Sequence, residues 1–281
     1  MKIYPLKYYL HNFLLIPETE LQLPISNRAF QYNDGAFETM LFIDGKIRFI
    51  ESHLNRLKRA AEALHLELPD ALSEPETIAF WIEKLITANQ LSGKTRIKVK
   101  IWRSGTGLYI PEKNEAEVLI TAEPQKVSSN FIEIADFAQS VRTHFSSYSF
   151  FKGPNSIQYV LAGIEKKQRN LDEIILLSAD GFVSECLASN IFWLKNGMVF
   201  TPKTETGCVA GVLRKNLLKL FQAENIPFQE GEFLPVELLR AEVVFSSNAA
   251  GIKVIKQISD QEFLQELPDW LNQILKASHF M

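Results

Sequence analysis

Four short stretches hold residues whose chemistry could be more than structural. Lys152 lies in FFKGPNSIQY, after aromatic residues and before a Gly-Pro that opens a helix. A lysine kept in apolar surroundings has a depressed pKa, and its amine becomes fit for Schiff-base chemistry. Glu185 lies in DGFVSECLASNIFW, past a tight Asp-Gly turn, on a segment that reads as an interior strand. An acid placed there is costly unless a cation or a proton-bearing group meets it. In VAGVLRKN, Gly211 opens a helix whose first backbone N–H groups suit an anion. Arg56, in HLNRL, sits on the shoulder of a Leu54/Leu57 stripe.

Each has a plainer reading on its own. Lys152 reads as a solvated lysine at a loop–helix junction, Glu185 as a capped acid at a strand end, and Arg56 as an ordinary helix-surface arginine. Many helices begin at a glycine. Taken together, however, a lysine, a buried acid, an arginine and a helix-start anion site are what an aldehyde cofactor with a phosphate and a basic ring nitrogen would require. Other constellations fail. His11, His53, His65, His144 and His279 show no metal-ligand spacing with one another or with Cys186 and Cys208. No nucleophile elbow, phosphate-binding loop or dinucleotide fingerprint occurs.

The bulk composition is that of a globular protein. The chain has 281 residues, 46% hydrophobic and 22% charged, with a net charge of −3. That charge gives no reason to expect nucleic acid or an anionic membrane as a partner. Two cysteines without metal spacing fit a reducing, cytoplasmic home. KYYLHNFLLI near the start carries His11 and Asn12 and reads as a strand pair, neither signal peptide nor membrane span.

These residues must be positioned by mixed elements. LFIDGKIRFI is a hairpin turning at Asp44-Gly45, and ESHLNRLKRAAEALHLELP a helix with Leu54, Leu57, Ala61 and Leu64 on one stripe, ended by Pro69. A second helix follows at ETIAFWIEKLITANQ. TRIKVKIWRSG alternates Ile97, Val99 and Ile101 against Arg96, Lys98 and Lys100, and EVLITAEP is a further strand. Residues 123–130 form a linker. This gives a smaller N-terminal domain over 1–122 and a larger C-terminal one over 131–281 that carries Lys152. In the latter a helix starts near Pro154, with Ile157, Val160, Leu161 and Ile164 on one face. NIFWLKNGMVFTP is a hairpin turning at Asn196-Gly197. Strands and helices mix without regular alternation, so two α+β domains are expected and not a doubly wound sheet.

NRAFQYNDGAFET with HLNRL, then K-x-x-N from Lys152 to Asn155, DGFVSECLASNIFW and GVLR closely resemble the class IV, or fold-type IV, aminotransferase family. The matches run in order over most of the chain, from Asn27 to Gly251. The resemblance implies pyridoxal 5′-phosphate as cofactor, a D-amino-acid-aminotransferase-like fold and a homodimer acting on a small amino substrate. It implies that Lys152 holds the cofactor and moves protons, and that Glu185 pairs with the pyridine nitrogen. Arg56, Gly211 and the backbone of Val212 and Leu213 would hold the phosphate. Asn248 stands where relatives often place a threonine near the phosphate, and Ser189 lies beside the cofactor. Tyr32 and Ala249 fall at the substrate pocket, and Thr39 where lyases of the family place a threonine near the reacting centre.

Three readings are compatible with the resemblance: a lyase, a transaminase of branched-chain or other small amino acids, and a non-catalytic relative. ECLASNIFW reads closest to the family's aminodeoxychorismate lyases, which release pyruvate and 4-aminobenzoate in folate synthesis. Those lyases tend to carry an arginine in the loop after KVKIWR, where this chain has Leu108 in SGTGLYIP. Transaminases of D-amino acids carry an Arg-x-His clamp there, which is absent, and branched-chain members follow the asparagine with tyrosine, here Ser156. A non-catalytic cofactor-binding relative is the third reading, and the joint presence of Lys152, Glu185 and Arg56 argues against it.

Overall fold

Residues 6–126, 129–153, 156–278 and 280 are described by the computed structural model. The chain divides into two compact units. The first is Met1–Val127 with Phe151–Pro154, the second Ser128–Phe150 with Asn155–Met281. Pro154 and Asn155, at the expected helix start and the end of K-x-x-N, lie outside the described residues, as do Val127 and Ser128 of the expected linker.

The first unit holds strands β1 (Tyr8–His11), β2 (Leu14–Pro17), β3 (Gly35–Ile43), β4 (Lys46–Ile47), β5 (Thr95–Arg103) and β6 (Ala116–Pro124). They form one six-stranded sheet in the order β2-β1-β6-β5-β3-β4. Its helices are α1 (Arg28–Tyr32), α2 (Ile50–Ala63) and α3 (Pro75–Ala88). The β3–β4 hairpin turns at Asp44 and Gly45 with φ of 50° and 75°, the left-handed pair that a two-residue loop needs. Register decides the core face. Met40 faces Ile97 and Val99 faces Ile120, all buried, and Leu54 and Leu57 of α2 with Ile78 and Ile82 of α3 are buried too. Each such side chain stabilises the fold by about 1.5–3 kcal/mol.

Helix α2 stops at Ala63, not at Pro69. Leu64 donates to the Ala60 and Ala61 carbonyls as a cap, and His65 turns left-handed at φ 53°. Proline bars a helix from continuing but need not be its last residue. Glu123 and Pro124, placed in the linker, still pair with Arg96 and Thr95.

The second unit holds β7 (Phe131–Phe137), α4 (Ser156–Gln168), β8 (Glu173–Leu177), β9 (Val183–Cys186), β10 (Asn190–Lys195) and β11 (Met198–Pro202). It continues with α5 (Val212–Ala223), β12 (Phe228–Gly231), α6 (Pro235–Leu238), β13 (Val243–Asn248), β14 (Gly251–Ile258), β15 (Gln261–Glu262) and α7 (Asp269–Ala277). The nine-stranded sheet runs β12-β11-β10-β13-β14-β7-β8-β9, with β15 beside β14. Adjacent residues of β10 point to opposite faces, so NIFW supplies both layers. Phe192 stacks on Phe245 at 5.2 Å and meets Phe221 of α5 edge-on, while Trp193 meets Phe233 edge-on at 4.9 Å. The α+β reading holds.

In α4 the apolar stripe faces outward. Ile157, Val160, Leu161 and Ile164 are 45–66% exposed, whereas Ala162 and Glu165 are buried. The reason is polar. Glu165 accepts from the Gln139 and Ser140 backbone N–H groups and the Ser140 hydroxyl, and pairs with Arg169. Those bonds turn the acid inward and the aliphatic residues out. No helix among the described residues is long and apolar enough to cross a membrane.

Candidate active site

In the first unit Lys152 is held by its own backbone. Its carbonyl accepts from Phe37 N–H at 2.9 Å, and the Gly153 carbonyl accepts from the Asn33 side chain at 2.8 Å. The segment thus lies along β3. This is why Lys152 belongs with the first unit and not, as the sequence boundaries place it, with the C-terminal part. The approach needs glycine, because a Cβ on Gly153 would sit 2.4 Å from the Gly35 carbonyl oxygen. Lys152 itself is half-buried. Thr39, two residues along β3 from Phe37, is also half-buried and stands opposite Lys98.

Arg56 is buried, not a surface arginine, and is gripped by an acid that the sequence reading did not single out. Its Nε and Nη2 each donate to Glu38 at 2.6 Å, and His53 Nδ1 lies 2.7 Å from the same carboxylate. His53 and Arg56 are three apart, hence on one face of α2, and Glu38 alternates with Thr39 on β3, so its carboxylate points to the α2 side. Burial pushes the Glu38 carboxyl up, but the Arg56 charge and the bonds from His53 and Arg56 outweigh it and hold it down to about 2. Burial pushes His53 down, against the pull of Glu38, and the charges of Arg56 and Lys152 push it further. Glu38 therefore fixes the orientation of a fork that carries five N–H donors in all. The signal was present as Phe-Glu-Thr followed by His-x-x-Arg, but only the strand register shows that they meet.

Tyr32 closes α1. Its exposed ring lies 5.9 Å from Tyr109 and under the Arg28 guanidinium at 5.0 Å. Arg28 also donates to the Gly107 and Leu108 carbonyls, which holds the Gly-rich loop in place with Leu108 exposed.

In the second unit Glu185 is 3% exposed on β9. Its Oε1 accepts from the Tyr159 hydroxyl at 2.7 Å and from Val209 N–H at 3.2 Å. Tyr159 lies on the face of α4 opposite the aliphatic stripe, so the i, i+3, i+4, i+7 pattern of that stripe gave no signal for it. Ser189 and Asn248 come together: Asn248 Nδ2 donates to Ser189 Oγ at 2.9 Å and to the Ala188 carbonyl at 3.3 Å. Ala249 follows in the β13–β14 turn, half-buried.

Helix α5 starts at Val212 after Gly211, with no side chain capping it. A Cβ at Gly211 would come 1.9 Å from Asn190 Oδ1, so glycine keeps this start tight against β10. Asn190 donates to the Val209 carbonyl at 2.8 Å. Ser247 is the strand partner of Asn190 and stands on the same face. Its hydroxyl is buried without a hydrogen-bond partner. Uncapped N–H groups, a close-approach glycine and an orphaned hydroxyl fit an anion such as a phosphate. A buried carboxylate fits a protonated ring nitrogen. The residues present fit pyridoxal phosphate.

Residues 35–258 match the family described as amino-transferase class IV, and the chain belongs to that family of pyridoxal-phosphate enzymes. It is 26% identical over 261 residues to an aminodeoxychorismate lyase of Vibrio harveyi, covering 90% of this chain and 93% of that protein. It is 24% identical over 241 residues to a D-alanine aminotransferase of Listeria innocua, covering 84% and 82%. Its fold matches a branched-chain aminotransferase of Thermoproteus uzoniensis with a TM-score of 0.85, over 98% of this chain and 94% of the other at 22% identity. The architecture is fold-type IV.

Proposed function

We propose that the chain is a 4-amino-4-deoxychorismate lyase, releasing pyruvate and leaving 4-aminobenzoate for folate synthesis. The observation that carries this reading is the ECLASNIFW stretch of β9 and β10, which reads closest to the family's lyases, with Thr39 on β3 two residues from the point where the Lys152 backbone docks. The full-length similarity to the Vibrio harveyi lyase supports it. When bound, pyridoxal phosphate supplies an aldehyde that takes up amines and a cationic ring that accepts negative charge from the substrate carbon.

The chain's own residues would divide the work. Lys152 Nζ would hold the aldehyde carbon and, as a free amine, move a proton at the substrate carbon. Glu185 would keep the proton on the ring nitrogen. Arg56, Gly211 and the N–H groups of Val212 and Leu213 would hold the phosphate, with Ser189 and Asn248 beside it. Tyr32 and Ala249 would line the substrate pocket, and the Thr39 hydroxyl would orient the group that leaves.

The test is pyruvate release from enzymatically generated aminodeoxychorismate by protein loaded with pyridoxal phosphate. Release by the wild type and none by Lys152→Ala is the expected result. Absence of release by the loaded wild type overturns the lyase reading.

Amino transfer is the second reading. It has one observation behind it: Leu108, where the family's lyases tend to carry an arginine, is exposed and aliphatic. Conversion of the bound cofactor to its amine form by an amino acid would establish this activity. We also read the chain as a homodimer in a reducing, cytoplasmic setting. The outward stripe of α4 supports the dimer, since Ile157, Val160, Leu161 and Ile164 leave an apolar helix face exposed that a second copy can cover through a two-fold contact.

A further inference from the structure

We infer that Tyr159 is a positioning residue that sets the orientation and the basicity of Glu185 toward the cofactor ring. This rests on the assignment of Glu185 to the ring nitrogen and goes beyond it, because the acid is taken as one half of a pair. The geometry is specific. The Tyr159 ring packs against the small cluster of Ala138, Ala162, Ile174 and Leu176, and Leu176 is the strand partner of Glu185. From that seat the hydroxyl reaches Glu185 Oε1 at 2.7 Å. Val209 N–H, on the chain leading into α5, reaches the same oxygen at 3.2 Å. Donors from α4 and from the loop before α5 converge on one oxygen, which restrains rotation of the carboxylate about its last bond.

The electrostatic consequence follows from the chemistry of the donor. Burial, followed by the charge of Glu185, pushes the Tyr159 phenol well above its ordinary range, so it stays a donor throughout the working range of pH. A phenol donating to a carboxylate stabilises the charged form and makes the acid a weaker base. A weaker base leaves the shared proton on the ring nitrogen, which is the condition for the ring to accept negative charge. Packing alone would be served as well by phenylalanine. The hydroxyl is what ties Tyr159 to the acid.

The experiment is a double-mutant cycle read by cofactor binding, not turnover. Apo forms of the wild type, Tyr159→Phe, Glu185→Gln and the double variant are titrated with pyridoxal phosphate and followed by tryptophan fluorescence. The absorption band of each bound form is recorded at one neutral pH. Tyr159→Phe is expected to weaken binding about tenfold, the scale of a hydrogen bond to a charged group, and to change the band. In the Glu185→Gln background the same substitution should change binding less than twofold. Equal losses in both backgrounds, or wild-type binding and spectrum in Tyr159→Phe, overturn the inference while the functional reading stands. A wild-type protein that takes up no pyridoxal phosphate overturns both. Thermal melting of the apo forms serves as the packing control, since a purely structural role would move the melting point and leave the binding constant in place.

Discussion

At the scale of single residues the charged groups are held by neighbours that the chain supplies from a distance. Arg56 is presented by Glu38, which His53 also holds, and Glu185 by Tyr159 and Val209. Glu38 makes the clearest prediction. Its carboxyl lies at about 2 in the folded protein against an ordinary 4.5. A depressed acid contributes stability in full above its unfolded value, and that contribution is lost as pH falls from about 4.5 toward 2. Glu38→Gln should therefore cost about 3 kcal/mol near neutrality, where it leaves Arg56 without its carboxylate partner. Urea midpoints of the two proteins should converge as the pH falls through that window; a constant gap would refute the ion-pair account. Lys152→Ala should bind pyridoxal phosphate without the absorption band of a covalent link to the protein. A wild-type spectrum in that variant would remove Lys152 from its role.

At the scale of elements, the proposed phosphate cradle depends on how closely α5 starts against β10. The Gly211 Cα has no room for a methyl group, since Asn190 Oδ1 would stand 1.9 Å from it. Gly211→Ala should displace Asn190 from the Val209 carbonyl and cost about 1–3 kcal/mol by overpacking. It should also weaken pyridoxal phosphate binding more than it weakens binding of pyridoxal, which lacks the phosphate. Equal weakening of both would show that the helix start does not hold that group. Helix α4 teaches a second lesson at this scale. Its i, i+3, i+4, i+7 aliphatic stripe was legible, but periodicity says that a face exists and not which way it turns. Glu165 and its four donors decided that.

At the scale of the whole molecule, the outward stripe bears on assembly. Four aliphatic side chains on one exposed helix face form a contiguous apolar surface of the kind that marks interaction sites. Sedimentation should show the wild type as a dimer and Leu161→Glu as a monomer with unchanged circular dichroism. A wild-type monomer would refute the dimer, and a dimeric Leu161→Glu would place the contact elsewhere. A placement that sequence order alone misjudged also belongs to this scale. Lys152 comes after the first crossing between units, yet its backbone is docked on β3 of the first.

The sequence by itself determined the strands, whose alternation at Ile97, Val99 and Ile101 marks a half-buried face, and the turns at Asp44-Gly45 and Asn196-Gly197. It also determined the order of motifs that place the chain in its family, because turn chemistry, side-chain period and motif spacing are local properties. The tertiary structure alone decided which groups meet. Glu38 reaches Arg56 across 18 residues and Tyr159 reaches Glu185 across 26. It also decided which way α4 turns and that Ser247 ends in a buried, unpartnered position. Such pairings follow from register and packing between elements distant in the chain, and no local pattern of residues carries that information.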